Sequence, residues 1–395
     1  MKYCPVYKKC GGCAFINTEY EDQLKAKREY VRNLYPGKEV EPLIGMKDPY
    51  HYRHKVYATF DHDKNGRIRA GLYEESTHHV VDSEMCLIQN VTANDILKSM
   101  CHIATDMHIE SYDENTGRGA LRHAYIRISH ASGDVLLVIV IGSKDLPGSR
   151  EYVARLRKEH PEIKTIILNW NHDFTSMILG KKERVLYGPG YITDTIDGVS
   201  FRISSRSFYQ VNPVQTEKLY STALDMAALK KTDNVLDMCC GIGTISLLAA
   251  KQARYVLGVE INPHAIRDAQ GNAERNHIGN VDFIAEDGER FIQELGDAPE
   301  VVFLDPPRAG FSEGFMKTLD HLRPEKIVYI SCNPETQARD LQVISESYEI
   351  KKIQPVDMFP FTKATECVTL LERNSQKHIP VNGKRRKYPH QNRRK

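Results

Sequence analysis

The sequence predicts an α/β protein in which an antiparallel, β-rich part precedes a Rossmann-like, doubly wound domain. Two patterns lead to this prediction. Up to about residue 203, segments rich in β-branched and aromatic residues flank short turn signals, which is typical of hairpins. From about Asn234 onward, short apolar runs alternate with helical stretches, and such runs form parallel strands buried on both faces.

In the first part, residues 18–35 predict one amphipathic helix that starts with a capping box of Thr18 and Glu21. Two hairpins are expected, around Asn65-Gly66 and around Ser132-Gly133. The segments IKTIILNWN (163–171) and VSFRIS (199–204) predict further strands.

In the second part, five apolar segments predict the strands of a parallel sheet: NVLDM, YVLGVEI, VDFIAED, VVFLDPP and KIVYISC. A doubly wound sheet binds its ligands at the carboxyl ends of the strands. The residues that end or follow these five segments are therefore the candidate site.

Composition limits the class of protein. Hydrophobic residues make up 41% of the chain and charged residues 27%, which is ordinary for a globular protein. The longest apolar run, Val135–Ile141, is far too short to cross a bilayer, and the opening residues lack the apolar core of a signal peptide. We therefore predict a cytoplasmic monomer that does not bind a membrane.

The tail Lys377–Lys395 contains eight Lys and Arg and no carboxylate, so the other residues hold 46 Lys and Arg against 52 Asp and Glu. The formal charge of +2 thus combines a basic tail with a remainder of −6. A terminal block of like charge with Pro and Gly is typical of a disordered arm, and such arms often bind nucleic acid. The alternative is a solvated tail without a partner.

Four of the nine cysteines are candidate metal ligands. Cys4, Cys10 and Cys13 follow the spacing C-x5-C-x2-C, and Cys86 comes later in the chain. In a cytoplasmic chain, clustered cysteines indicate metal binding or catalysis rather than disulfides. Thiolates suit both zinc and iron–sulfur clusters, but only half of the paired C-x2-4-C pattern of a zinc site is present. We predict a 4Fe–4S cluster, with zinc as the alternative.

The turn after the first parallel strand indicates a nucleoside ligand. Gly241 and Gly243 allow the backbone to approach a ligand closely, and Glu260 ends the next strand, where a carboxylate can accept hydrogen bonds from a ribose diol. A nicotinamide fold needs a third glycine, but that position is Ser246. The pattern favours S-adenosylmethionine, which has no pyrophosphate. A glycine turn without a ligand is the alternative.

Asp305 ends the fourth strand, in LDPPRAG, where two prolines stiffen the loop. Enzymes that methylate the amino groups of adenine and cytosine carry an aromatic residue after a similar Asp-Pro-Pro. Here Arg308 follows, which argues against amino-group methylation.

Cys332 ends the fifth strand, directly before Asn333-Pro334, and Glu366 lies further on in an apolar stretch. The C5 carbon of uracil is too weak a nucleophile to attack a sulfonium methyl directly. A thiolate that adds to C6 makes C5 reactive, and a base must then remove the C5 proton so that the thiolate can leave. One cysteine and one carboxylate meet this need. The alternatives are a buried core thiol and a carboxylate that serves only in an ion pair.

Together these residues resemble the RNA uracil-5-methyltransferase family, whose members make 5-methyluridine in ribosomal or transfer RNA. The resemblance covers nearly the whole chain. The motifs that carry it are the four early cysteines, FYQVNPVQTEKLY (208–220), LDMCCGIGTISL, LDPPRAG, YISCNPETQARDL and FPFTKATECVTLLER.

The resemblance implies a role for each matching residue. Cys332 is the expected nucleophile and Glu366 the expected general base. The expected S-adenosylmethionine contacts, beside the glycine turn, are Gln210, Cys239, Glu260, Asp305 and, near the adenine, Asp287. The four early cysteines would hold the 4Fe–4S cluster.

The resemblance also divides the chain. Residues 1–90 would carry the cluster and begin an RNA-binding domain, and residues 91–203 would complete that domain. Residues 204–375 would form the methyltransferase domain, and residues 376–395 the basic tail.

This chain departs from many relatives in two ways. Histidines often precede the base in a pattern like FPHTxHVE, but Phe361, Ala364 and Thr365 stand here. The chain also starts at the cluster rather than with a TRAM barrel, like the shorter ribosomal-RNA branch. We therefore expect 23S ribosomal RNA as substrate, with transfer RNA as the alternative.

Two rival functions remain. A cytosine-5 methyltransferase uses similar covalent chemistry, but its cysteines stand in a different setting from the Cys-Asn-Pro found here. An RNA-binding factor without catalysis would not need an intact Cys332, Glu366 and cofactor loop.

Overall fold

The computed structural model describes residues 2–74, 77 and 79–374. The predicted basic tail lies outside the described residues. Within them, no helix is both long enough and apolar enough to span a membrane.

Seven strands form the first sheet, and two helices cover one of its faces. The strands are β1 (Lys55–His62), β2 (Ile68–Tyr73), β3 (Val80–Asp82), β4 (Leu121–Ile128), β5 (Val135–Ile141), β6 (Ile163–Trp170) and β7 (Lys182–Tyr187). They lie in the order β3-β2-β1-β4-β5-β6-β7. The helices are α2 (Val91–Asp106) and α3 (Ser149–Glu159), and they follow α1 (Tyr20–Leu34) in the chain.

Both predicted hairpins are confirmed. His62 faces Ile68 across the first turn, and Ile128 faces Val135 across the second. Gly66 and Gly133 adopt φ values of 78° and 76°, which residues with a side chain rarely adopt. The predicted antiparallel arrangement holds for the other strand pairs of this sheet but is wrong for β5 and β6. Helix α3 carries the chain back across the sheet, so that β6 runs parallel to β5.

The second sheet is Rossmann-like, as predicted. Its strands and helices are α4 (Pro213–Ala227), β10 (Asn234–Met238), α5 (Thr244–Ala250), β11 (Tyr255–Glu260), α6 (Pro263–Arg275), β12 (Val281–Ala285), α7 (Gly288–Glu294), β13 (Val301–Leu304), α8 (Glu313–Leu322), β14 (Lys326–Ser331), α9 (Pro334–Val343), β15 (Tyr348–Val356) and β16 (Glu366–Arg373). The hairpin β8 (Tyr191–Ile196) and β9 (Val199–Ser204) precedes it.

The five predicted strands, β10 to β14, run parallel. The sheet order is β12-β11-β10-β13-β14-β16-β15, so the last strand, β16, lies between β14 and β15. It runs antiparallel to both of them.

One continuous core joins the two sheets, because β5 is buried on both faces. Leu137 and Ile139 pack with α2 and α3, whereas Leu136 and Val138 pack towards β8, β9 and the second sheet. Alternation along the strand sends successive side chains to opposite faces.

Helix α1 packs on the second sheet although it precedes the first in the chain, since Val31 shares a core with strands β10 to β14. The predicted helix is confirmed, but the predicted capping box is wrong. Glu19 is the N-cap residue and makes no side-chain capping bond. The side-chain amide of Gln23 instead donates to the Thr18 carbonyl at 2.7 Å.

Candidate functional site

The carboxyl ends of β10, β11, β13 and β14 converge at one edge of the second sheet. The residues there are the Cys239–Gly243 turn, Glu260, Asp305 and Cys332. This is the edge at which doubly wound sheets bind their ligands.

The two glycines of the turn have different surroundings. Both adopt positive φ, 55° at Gly241 and 82° at Gly243. A Cβ at Gly241 would meet no heavy atom within 4 Å, so this glycine leaves open space. A Cβ at Gly243 would lie 2.8 Å from the Phe283 ring, so packing of the protein itself requires this glycine.

Glu260 is held by backbone amides. Its carboxylate accepts hydrogen bonds from the Gly241 amide at 3.3 Å and from the Asn262 amide at 2.9 Å. The carboxylate therefore fixes the turn after β10 to the end of β11.

Asp237 is an acidic residue of this region that the sequence reasoning missed. It is fully buried in β10 and accepts a hydrogen bond from the Ser246 hydroxyl, while its second carboxylate oxygen has no partner among the described residues. Burial raises the pKa of Asp237 to about 7. Ser246, which stands where a nicotinamide fold has its third glycine, thus donates a hydrogen bond to the Asp237 carboxyl group. The feature of the sequence that could have indicated Asp237 is an acidic residue inside an apolar strand segment, NVLDM.

Cys239 is the first residue of the turn after β10, and Asp287 is near enough to act on it electrostatically. Asp287 is exposed and caps α7, since its carboxylate accepts a hydrogen bond from the Arg290 amide at 3.1 Å. Cys239 adopts a φ of 64°, and its pKa is raised to about 12, first by burial and then by Glu260, Asp305 and other nearby carboxylates.

The loop that follows β13 and contains Asp305 and Arg308 is hydrogen-bonded to the start and the side chains of α9. The side-chain amide of Asn333 donates to the Arg308 carbonyl at 3.1 Å, and Arg339 donates to the Ala309 carbonyl at 2.8 Å. These bonds hold Arg308 beside the end of β14. Burial raises the pKa of Asp305 to about 7, and Asp237 adds to the shift.

The Cys332-Asn333-Pro334 sequence forms a strand end followed at once by a helix start. Ser331 ends β14, Asn333 is the N-cap of α9, and Pro334 is its first residue. The Asn333 side chain accepts a hydrogen bond from the Glu335 amide at 3.2 Å. Asn at the N-cap and Pro at the first helical position are the residues that suit such a start. Cys332 is thereby held, partly exposed, at the edge of the sheet.

Cys332 directly follows β14, and Glu366 is the first residue of the neighbouring strand β16. Ser331 and Cys367 form the last pair of these antiparallel strands, so Cys332 and Glu366 both adjoin that pair. Glu366 is 3% exposed. Burial raises the pKa of Glu366 to about 8, Asp305 adds to the shift, and Arg308 opposes it.

The thiol experiences the same charges. The pKa of Cys332 is raised to about 11, first by burial and then by Glu366 and Asp305, while Arg308 opposes the shift. Asp305 and Arg308 thus act on both Cys332 and Glu366.

Gln210 and Tyr220 complete this edge of the site. Tyr220 lies in α4 and is buried, and Asp305, Glu366 and Asp237 all raise its pKa in addition to burial. A hydrogen bond links its side chain to that of Gln210. Gln210 is predicted from the sequence as a site residue, whereas Tyr220 is not.

The four early cysteines line one cavity: Cys4, Cys10, Cys13 and Cys86. The pKa of Cys13 is raised to about 12, first by burial and then by Cys86, Cys10 and Cys4. Over the described parts of the chain, no group of three or more Cys, His, Asp or Glu could hold a metal ion as placed.

Comparisons with known proteins cover most of the chain. The family model described as tRNA (Uracil-5-)-methyltransferase matches residues 19–374. An uncharacterized RNA methyltransferase of Halalkalibacterium halodurans is 41% identical over 379 residues, which is 93% of this chain and 82% of that protein. One from Clostridium acetobutylicum is 41% identical over 382 residues, or 94% of this chain and 83% of that protein.

A solved structure is also similar throughout. The Pyrococcus abyssi tRNA (uracil-54, C5)-methyltransferase in complex with S-adenosyl-L-homocysteine matches with a TM-score of 0.78 at 26% identity. The match covers 94% of this chain and 87% of that one.

Proposed function

The chain belongs to the tRNA (uracil-5-)-methyltransferase family, and on that premise we propose that it methylates C5 of one uridine in RNA through a covalent Cys332–C6 bond. The observation that carries this proposal is the proximity of Cys332, directly after β14, to Glu366, the first residue of β16: both adjoin the last pair of these strands, Ser331 with Cys367, and Glu366 acts electrostatically on the thiol. Uracil-5 methylation needs a nucleophile and a base close together, and the pair meets that need.

The residues at the sheet edge fit S-adenosylmethionine, the expected methyl donor. Gly241 leaves open space, Glu260 presents a carboxylate beside it, and a buried oxygen of Asp237 has no partner among the described residues. The excess of carboxylates suits a cationic ligand. We assign the donor's contacts to Gln210, Cys239, Gly241, Gly243, Glu260, Asp287 and Asp305. When bound, the donor supplies a methyl group on a cationic sulfur.

In the reaction, the target uridine leaves its stack and enters the site. The Cys332 thiolate bonds to C6, and the electron pair of the C5–C6 double bond moves to C5 and the neighbouring carbonyl. C5 takes the methyl group with that pair. Glu366 then removes the C5 proton, the double bond forms again, and the S–C6 bond breaks, so that the thiolate is restored.

Arg308 assists both residues. It lowers the pKa of the thiol and of the carboxyl, and so favours the charged form of each. The positive charge of the bound donor would lower both pKa values in the same direction. We therefore expect donor binding to favour the ionised forms of Cys332 and Glu366.

RNA containing 5-fluorouridine tests the covalent step. Fluorine at C5 cannot be removed as a proton, so a protein–RNA adduct should persist on a denaturing gel. Cys332→Ala should abolish both the adduct and methyl transfer while it retains donor affinity. A Cys332→Ala protein that methylates RNA at the normal rate would falsify the proposal.

We also propose that Cys4, Cys10, Cys13 and Cys86 hold a 4Fe–4S cluster, because they line one cavity and thiolates are the ligands of such clusters. Zinc is the alternative. Protein purified without oxygen should be brown and contain iron and sulfide. A colourless protein with stoichiometric zinc would exclude the cluster.

We propose 23S ribosomal RNA as the first candidate substrate. The similarity to the Pyrococcus abyssi enzyme favours transfer RNA as the second candidate. Mapping 5-methyluridine in the RNA of a deletion strain distinguishes them. Loss of the base from 23S RNA supports the first, and loss from transfer RNA supports the second.

A further inference from the structure

The segment between β15 and β16, residues 357–365, leads directly into Glu366 and is called the base loop below. Its backbone is strained at Phe361, which has a φ of 67°. A bulky residue keeps such a conformation only where its surroundings enforce it. The contacts of the base loop therefore fix the chain that enters β16 at Glu366, whose backbone also pairs with Val356 of β15.

The Phe361 ring is buried against the cysteine lobe, which we define as residues 2–16 and 83–88, and against the rings of Tyr20 and Tyr50. Phe361 is 1% exposed and packs with Ile16, Tyr52 and Ile88. Cys4, Cys13 and Cys86 pack against the same cluster. An apolar side chain, that of Phe361, thus fastens the base loop to the cysteine lobe.

Gln23 of α1 bridges the two segments. Its side-chain amide nitrogen donates to the Phe15 carbonyl at 3.1 Å, and its side-chain oxygen accepts from the Phe361 amide at 3.1 Å. The Phe15 amide donates directly to the Phe361 carbonyl at 2.9 Å. The backbone just after Cys13 is thus bonded to the strained residue twice, once directly and once through Gln23.

Lys27, one helical turn further on, holds the start of the base loop. Its ammonium group donates to the Asp357 carboxylate at 2.6 Å and to the Phe359 carbonyl at 3.0 Å. The Lys27 and Asp357 side chains are 2% and 0% exposed. Tyr20 donates to the other oxygen of Asp357 at 2.7 Å. A buried ion pair adds little net stability, so its value here lies in the geometry that it imposes.

We propose that the cysteine lobe and α1 act on the reaction by holding the base loop, with Gln23 and Lys27 as positioning residues for Glu366. This inference rests on the proposed function. It assigns the lobe to the removal of the C5 proton rather than to addition of the thiolate. If Glu366 is misplaced, Cys332 still bonds to C6 and C5 still takes the methyl group. The S–C6 bond then persists, because it breaks only when the C5 proton leaves.

Two variants test the idea. Gln23→Leu removes the bridge, and the double variant Lys27→Met with Asp357→Asn removes the buried pair without leaving one charge alone. The control is Lys25→Met with Asp22→Asn, an exposed ion pair of 3.0 Å on the same helix. Each protein is given methyl-labelled donor and in-vitro-transcribed 23S RNA or transfer RNA, whichever the wild type methylates.

Turnover and the fraction of protein in a denaturation-resistant RNA adduct are both measured. Turnover should fall by up to about 100-fold, the effect of a misplaced catalytic group. The adduct on ordinary RNA should accumulate at the same time, and the control should behave like the wild type. A fall in turnover without accumulation, or no fall at all, overturns the proposal, because general loss of structure reduces adduct and product together.

RNA containing 5-fluorouridine separates this inference from the proposed function. All variants should trap it as the wild type does, because that adduct does not need Glu366. If the wild type itself traps nothing, the covalent mechanism has failed instead. Should the double variant not fold, Tyr52→Phe removes only the hydroxyl that donates to the Pro360 carbonyl at 3.0 Å, and it must show the same accumulation to a smaller degree.

Discussion

Replacing Glu366 with Gln should stabilise the protein, and the gain should grow with pH. In the folded protein, burial and the nearby Asp305 raise the pKa of this carboxyl from 4.5 to about 8. Between these values the unfolded glutamate is ionised while the folded one keeps its proton. The unfolded state then binds fewer protons, so wild-type stability is complete below pH 4.5 and falls as pH rises towards 8.

The size of the effect follows from the same two values. From pH 4.5 to 7 the loss accumulates at about 1.4 kcal/mol per pH unit, which amounts to about 3 kcal/mol. Gln does not titrate and avoids this loss. Urea unfolding of the donor-free protein at pH 5 and pH 8 should show the free energy of unfolding of Glu366→Gln rising relative to wild type. Glu372→Gln, at the far end of the same strand, is the control. If the free energies of unfolding of Glu366→Gln and wild type differ by the same amount at pH 5 and pH 8, the reasoning is refuted.

Three further predictions concern other parts of the chain. Gly243→Ala should lower the free energy of unfolding by about 1–3 kcal/mol, because its methyl group would lie 2.8 Å from the Phe283 ring at a φ of 82°, and urea unfolding measures this. Ser246→Ala should lower it by about 1–3 kcal/mol, because the buried Asp237 loses its donor; calorimetry at pH 8 that shows no change would contradict this role. Deletion of Lys377–Lys395 should weaken RNA binding and flatten its salt dependence, and an unchanged salt slope would show that the tail does not contact RNA.

Features that depend on neighbouring residues could be predicted from the sequence. The turn at Asn65-Gly66 forms a hairpin because local backbone preference determines it. The five parallel strands follow from runs of apolar residues that only a sheet covered on both faces can bury. The setting of Cys332 also follows locally, since Asn333 and Pro334 are good residues for a helix start.

Features that depend on distant parts of the chain could not be predicted. Nothing near Glu366 in the sequence indicates that its strand enters beside β14, because strand order is decided by the packing of the whole sheet. The bond from Lys27 to Asp357 joins residues 330 positions apart. Sequence periodicity places α1 on some apolar surface but does not say which one. The parallel pairing of β5 with β6 could not be predicted for a similar reason. A helix between two strands indicates a parallel crossover only if the two strands are neighbours in the sheet, and the sequence does not show that they are.

The position of β16 between β14 and β15 has a consequence for synthesis of the protein. A chain translated only to residue 365 contains Cys332 and the proposed donor-binding residues but lacks Glu366, the proposed proton acceptor. The gap between β14 and β15 must stay open until residues 366–373 emerge and fill it. On the proposed function, a chain at that stage has no group to remove the C5 proton and cannot complete a turnover.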